Sequence, residues 1–311
     1  MISKLIVLLQ DPNVRWILTA SVLLGLSSGI LGSFAYLRKM SLMGDTLAHA
    51  ALPGICIAFM LTGSKSIFFF LIGAAIAGLI ATFGIGYVTR HSRIKQDAAL
   101  GIVLSVFFGF GIVLLTQIQH SDSGNQSGLD KFLFGQAAGM VMTDVMTMAI
   151  VSVVLTGLCA LLYKEFKLLS FDPGFARGLG LPVAVLDQLM MFLIVVAVVV
   201  GIQAVGVVLM AAMLITPAVS ARYWTERLGV MVVLSGLFGA FSGMIGTLLS
   251  TLDDNLPTGP LSVLAATGVF VLSVLFAPKR GVVSKLLLRA SVKRAANAEY
   301  EARQAQRGGT A

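Results

Sequence analysis

The chain has 311 residues, 57% of them hydrophobic and 12% charged, with a mean hydropathy of +0.95. A soluble domain carries roughly 25% charged residues, so composition excludes a large soluble domain and leaves a polytopic membrane protein. The formal net charge of +8 does not point to nucleic acid, because the surplus follows a membrane segment and lacks interleaved aromatic residues.

In chain order, apolar segments run at about 16–37, 42–61, 66–89, 97–118, 139–163, 183–201, 204–221, 229–250 and 260–277. Each has the length a helix needs to cross a hydrocarbon core of ~30 Å. The expected fold is therefore all-α, a transmembrane helix bundle of about nine segments. Only Gln203 and a few neighbours separate the sixth segment from the seventh, and Thr216-Pro217 interrupts the seventh, so eight spans plus a re-entrant piece is the alternative. Met1 to Arg15 lacks the basic region, short apolar run and small-residue cleavage site of a secretory signal, and no cleavage is expected.

Charge sets the orientation. Of the 22 Lys and Arg residues, 18 fall in one set of alternate loops and in the tail. The positive-inside rule makes that set cytoplasmic, which places the N-terminus outside and the C-terminus inside for nine crossings. The expected organisation is a transmembrane domain over residues 1–284 and a basic cytoplasmic tail over 285–311. Lys285, Arg289, Lys293, Arg294, Arg303 and Arg307 suit a helix lying against anionic lipid headgroups. On the opposite side, 120–128 reads as a mobile Gly/Ser loop, and Asp253 and Asp254 add acidity to a surface that could receive a partner.

The stretch that carries chemistry is MSLMGDTLAHAALPG, Met40 to Gly54. Asp45 and His49 stand four residues apart at the head of an apolar segment, so a helix puts them on one face with roughly 6 Å of rise between them. Ionisable groups in a membrane are costly and generally face a bundle interior or a watery path, paired with each other or with an ion. A two-fold axis beside this segment would gather two carboxylates and two imidazoles. Such a set suits a divalent transition ion, manganese through oxygen and zinc or iron through nitrogen, and its lack of thiolate argues against a soft-metal trap. The structural alternative is a helix cap by Asp45 with His49 bonded back to it. Cys56 and Cys159 read as buried packing residues, with no disulfide or Cys-rich metal site. Asp97, Asp144 and Asp187 lie near segment ends and read as structural or interfacial; His91 and His120 read as solvated loop residues. The Gly-rich runs 25–32 and 236–246 permit close helix contact.

Tyr163 to Pro182 is the longest basic-side connection. Asp172 is an N-cap followed by Pro173 at the favoured first helical position, and Gly178 or Gly180 can end the short helix. Phe171, Phe175 and Leu179, spaced i, i+4 and i+8, form an apolar stripe for a cytoplasmic partner or for the bundle itself. The chain has no GxxxxGK[ST] phosphate loop, so ATP hydrolysis by that route needs a separate subunit.

Five stretches in fixed order, MSLMGDTLAHAALPG, DAALGI at 97–102, GLDKFLFGQAAGM at 128–140, FDPGFARGLGLP at 171–182 and VGVVLMAAMLITPAVSARYW at 205–224, resemble the integral-membrane permease of bacterial manganese and zinc uptake ABC transporters. The resemblance covers roughly residues 15–280. It implies a permease subunit of an ABC importer in the bacterial cytoplasmic membrane, not itself an enzyme. The implied partners are a second permease chain, identical or related, a cytoplasmic ATPase dimer, and an extracytoplasmic metal-binding protein. It further implies that Asp45 and His49 contact the metal, and that Phe171, Asp172, Pro173, Phe175, Ala176, Arg177 and Leu179 form the ATPase-coupling helix. Gly174 departs from the family, where a larger, often acidic residue is expected. No permanent cofactor is implied; the metal, Mn2+ or Zn2+, is cargo. An autonomous ion-coupled carrier and an intramembrane metalloenzyme are the competing classes, the latter without an HExxH motif to support it.

Overall fold

The structure is a computed structural model that describes residues 12–63, 67–120, 142–252, 256–278 and 280–286, together with 289 and 291. Its helices are α1 (Pro12–Leu37), α2 (Met43–Thr62), α3 (Ile67–His91), α4 (Gln96–His120), α5 (Met142–Leu161), α6 (Tyr163–Phe171), α7 (Pro173–Gly178), α8 (Val183–Val205), α9 (Val207–Trp224), α10 (Leu228–Ser250) and α11 (Thr258–Phe276). No strand occurs among the described residues, so the all-α membrane bundle expected from composition is the fold. Eight of these helices, α1 to α5, α8, α10 and α11, are long and apolar enough to cross a membrane.

The expected seventh segment is α9, an 18-residue helix. Its separation from α8 is sharper than the sequence suggested. The break is Gly206, whose φ of 92° is open to glycine and strained for other residues. A Cβ on Gly201 would sit 2.2 Å from Met210 Sδ, so α9 folds back along α8 about that turn. Pro217, expected to interrupt the segment, lies inside a continuous helix. Bundle interiors tolerate this because neighbouring groups cover the freed backbone.

α1 and α2 form the centre, with 67% and 72% of their spans buried, against 28% for α4 and α5 and 22% for α11, whose apolar surfaces face outward. The most extensive helix contact joins α1 to α10. It is built from small residues: Gly25 meets Gly239, Gly29 meets Ser235, and Ser21 meets Gly243, backbone against backbone. Ser235 Oγ adds a hydrogen bond to the Gly29 carbonyl at 2.5 Å. Apolar side chains gain little by leaving lipid for one another, so close van der Waals packing and such hydrogen bonds supply the attraction. These contacts run antiparallel along the two helices, so the end of α1 near Arg38 and the start of α10 near Arg227 share one end of the bundle.

The stretches 121–141 and 253–255 and most of the tail beyond 286 fall outside the described residues, and with them the Gly/Ser loop, the GLDKFLFGQAAGM stretch, Asp253, Asp254 and most of the basic tail.

Candidate functional site

The connection between α1 and α2 fixes where α2 begins. Met40 N–H donates to the Ala35 carbonyl at 2.9 Å and Lys39 N–H to the Tyr36 carbonyl at 3.0 Å, the paired bonds of a Schellman helix end. Lys39 takes the left-handed position at φ 58°, where glycine is usual. Met43 N–H then bonds the Met40 carbonyl at 3.0 Å and α2 starts one residue after Leu42, which caps it without a side-chain bond. Asp45 therefore lies inside the first turn and is not the cap. That position still favours a carboxylate, because the positive end of the helix dipole faces it.

One turn on, His49 Nε2 lies 3.4 Å from Asp45 Oδ1. This is longer than a well-formed N–H···O bond of about 2.7–3.2 Å, so the two groups face each other without being locked together. The Asp45 side chain is 39% exposed and that of His49 17%, which leaves the carboxylate accessible and the imidazole held within the bundle. The holder is Phe108 of α4, edge-on to the imidazole at a centroid distance of 4.7 Å. His49 Nδ1 is buried and has no hydrogen-bond partner. Gly44 admits the Leu214 side chain of α9, a hypothetical Cβ there lying 2.9 Å from Leu214 Cδ2. So α4 and α9 both close around the head of α2.

Cys56 lies further along α2, buried, with Sγ 3.8 Å from the Gly111 carbonyl. It packs against α4, as Cys159 packs in the core. No three His, Cys, Asp or Glu side chains converge among the described residues. Asp45 and His49 thus stand as a two-member cluster, one carboxylate and one imidazole.

The second predicted feature is α7. Asp172 Oδ1 accepts the Phe175 N–H at 2.8 Å and Pro173 opens the helix, the cap chemistry the sequence spelled. The helix closes with the Gly180 N–H on the Arg177 carbonyl and the Leu181 N–H on the Ala176 carbonyl, Gly180 standing at φ 80°. Arg177 lies in the last turn, where a cation suits the helix dipole. Ala176 is fully buried, whereas Phe171, Phe175 and Leu179 are 60%, 57% and 60% exposed. The stripe does not lie on one helix, however. Asp172 is extended (φ −146°, ψ 84°), so Phe171 ends α6, Phe175 lies in α7 and Leu179 caps it.

Sequence reasoning missed α6, the Phe108 contact and an ion pair between Arg38 and Asp187. The signal for α6 was present: Phe166 and Leu169, three apart and both buried, anchor it. The other two join residues distant in the chain and leave no local pattern. Asp97 and Asp144 occupy the first turns of α4 and α5. His91 and His120 are exposed last residues of α3 and α4 and not loop residues, each Nδ1 being within bonding distance of a carbonyl four residues back.

The structure thus presents a bundle of membrane-crossing helices with a paired acid and imidazole at one helix head and a capped helical elbow at the basic end. The ABC 3 transport family model matches residues 10–277, and the chain belongs to that family. It is 54% identical to the manganese transport system membrane protein MntC of Bacillus subtilis over 96% of this chain and 69% of that one. It is 46% identical to the zinc transport system membrane protein TroC of Treponema pallidum, over 92% of this chain and 96% of that one. Among solved structures, PsaBC from Streptococcus pneumoniae in complex with Fab matches with a TM-score of 0.79 and 34% identity, covering 90% of this chain and 98% of the other.

Proposed function

We propose that this chain is the permease subunit of an ABC importer that carries a divalent transition metal, manganese by preference and zinc or iron as alternatives, across the bacterial cytoplasmic membrane. The observation that carries the reading is the Asp45–His49 pair, a carboxylate and an imidazole 3.4 Å apart at the head of a membrane-crossing helix. An ion between them would accept a lone pair from each, taking the place of the present contact. Two donors make a weak site, and two copies related by a two-fold axis supply four. Four oxygen and nitrogen donors without thiolate bind an ion that must also be released. Similarity to a manganese-named and a zinc-named relative supports a transition-metal cargo and keeps both ions in view.

In this reading the basic end of the bundle is cytoplasmic, which puts the N-terminus outside and the C-terminus inside. The exposed Phe171, Phe175 and Leu179 with the capped Asp172–Leu179 elbow form the ATPase dock. Hydrolysis belongs to that partner, and an extracytoplasmic binding protein delivers the ion.

The test is uptake of radioactive manganese and zinc in cells lacking their own importers. They are supplied with the candidate ATPase, the binding protein and this chain as wild type, Asp45→Ala or His49→Ala. ATPase-dependent uptake that both substitutions abolish at equal membrane level is the expected result. Wild-type uptake by both variants would reduce Asp45 and His49 to structural residues, and uptake without the ATPase would favour an autonomous carrier.

A further inference from the structure

Arg38 and Asp187 stand 149 positions apart and meet in an ion pair, Arg38 Nη1 against Asp187 Oδ1, with side-chain exposures of only 15% and 29%. Each partner is fixed to a rigid turn. Arg38 immediately precedes Lys39 in the Schellman end of α1, and only four residues separate it from Met43, where α2 begins on its way to Asp45 and His49. Asp187 lies in the second turn of α8. That helix is bonded back to α7 without a slack residue: Leu181 N–H to the Ala176 carbonyl, Val183 N–H to the Leu181 carbonyl, and Val185 and Leu186 N–H to the Pro182 carbonyl. The α7 elbow and the head of α2 are thus two hydrogen-bonded pieces, and the charge pair adds a polar link to the apolar packing of α8 against α1 and α2, where Met191 and Met43 share one buried cluster.

A cavity of about 690 Å³ lies beside the pair, lined by Met43, Asp187, Gln188 and Met191 together with the last turns of α3. The space lies mainly along α3, so on that side Asp187 has no packed side chain over it, while the largely buried charges resist separation.

We infer that Arg38 and Asp187 are positioning residues that transmit movement of α7 to the Asp45–His49 pair. Displacement of α7 moves the start of α8, and the ion pair carries that displacement through the α1–α2 turn to the head of α2. This rests on the proposed function, in which α7 receives the ATPase and Asp45 and His49 meet the ion. The pair itself contacts neither the ion nor the ATPase in this scheme. It acts as a two-element coupling joint, the kind of discrete contact that can bias one site from another.

The experiment uses the full transporter, with ATPase and binding protein, reconstituted in proteoliposomes. It compares wild type, Arg38→Lys, Arg38→Asp, Asp187→Arg and the Arg38→Asp/Asp187→Arg exchange for metal uptake and for ATP hydrolysis with and without binding protein. The expected result is that each charge reversal lowers uptake at least tenfold and removes stimulation of hydrolysis by the binding protein, while basal hydrolysis stays within twofold. Arg38→Lys keeps most uptake, and the exchange restores at least a third of it. Single reversals that transport like wild type would overturn the inference. So would an exchange that fails to rescue, or loss of basal hydrolysis together with uptake in every reversal, since that marks a merely structural pair. The proposed function fails separately, on unchanged uptake by Asp45→Ala and His49→Ala, and the stimulation of hydrolysis still reads the Arg38–Asp187 joint in that case.

Discussion

Gly25 of α1 and Gly239 of α10 touch backbone to backbone: a Cβ on the first would lie 2.2 Å from the Gly239 carbonyl oxygen, and one on the second 2.0 Å from that of Gly25. No side chain can yield at this crossing, so any added carbon forces the helices apart. Gly25→Val or Gly239→Val is expected to destabilise the fold by about 1–3 kcal/mol or more, the range of core overpacking. Gly268→Ala in α11 is the control, because nothing lies within 4 Å of its Cβ position. Helix propensity favours alanine there by roughly 0.5–1 kcal/mol. Thermal unfolding in detergent should show a lowered midpoint for the first two and an equal or raised one for the third.

This crossing also shows what the sequence could convey. The glycine runs announced close packing, because only small residues let helices approach, but not which helix α1 would meet. Helical state and a polytopic bundle were legible from apolar length. So was the capped α7, since Asp-Pro followed two turns later by Gly-Leu-Gly encodes its own ends. The Asp45–His49 pairing was legible because helical geometry alone puts i and i+4 together. Phe108 over His49 and Asp187 on Arg38 were not, since each joins separate segments and depends on how the bundle closes. The chain break at Gly206 was placed too loosely, because one left-handed glycine suffices for a turn that composition spreads over several residues.

Trp224 Nε1 donates to Ser273 Oγ at 2.9 Å and so ties the end of α9 to that of α11. Ser273 keeps its own bond to the Val269 carbonyl at 2.7 Å, so Trp224→Phe removes a donor without stranding the hydroxyl proton. The expected loss is about 1 kcal/mol, the net value of one such hydrogen bond. Ser273→Ala should cost a similar amount and the double variant no more than either single one. A double-mutant cycle on thermal unfolding checks this.

Asp172 holds the first turn of α7 through one bond, Oδ1 to Phe175 N–H at 2.8 Å. Losing a cap costs about 0.5–2 kcal/mol, which is a large share of what holds a six-residue helix. Asp172→Ala should therefore loosen α7 while leaving the buried bundle unfolding at its usual temperature. Asp172→Asn, which can still accept the bond, should behave like wild type. Hydrogen exchange of the Phe175 amide separates them: faster in Asp172→Ala, unchanged in Asp172→Asn.

Phe108 touches the imidazole of His49 edge-on and offers no ligand atom itself. If His49 contacts the ion, its ring must be held in place before the ion arrives, and Phe108 is the side chain that holds it from α4. Phe108→Ala would free the ring to turn away from Asp45, so the metal concentration for half-maximal uptake should rise by about three- to tenfold, an aromatic contact being worth roughly 0.5–1.5 kcal/mol. Phe108→Tyr, which keeps the ring, should stay near wild type. Basal ATP hydrolysis by the assembled transporter should not change in either variant, because α7 is untouched. Equal uptake curves for wild type and Phe108→Ala would show that His49 needs no such support, and a parallel loss of hydrolysis would place Phe108 in the structural core of the bundle.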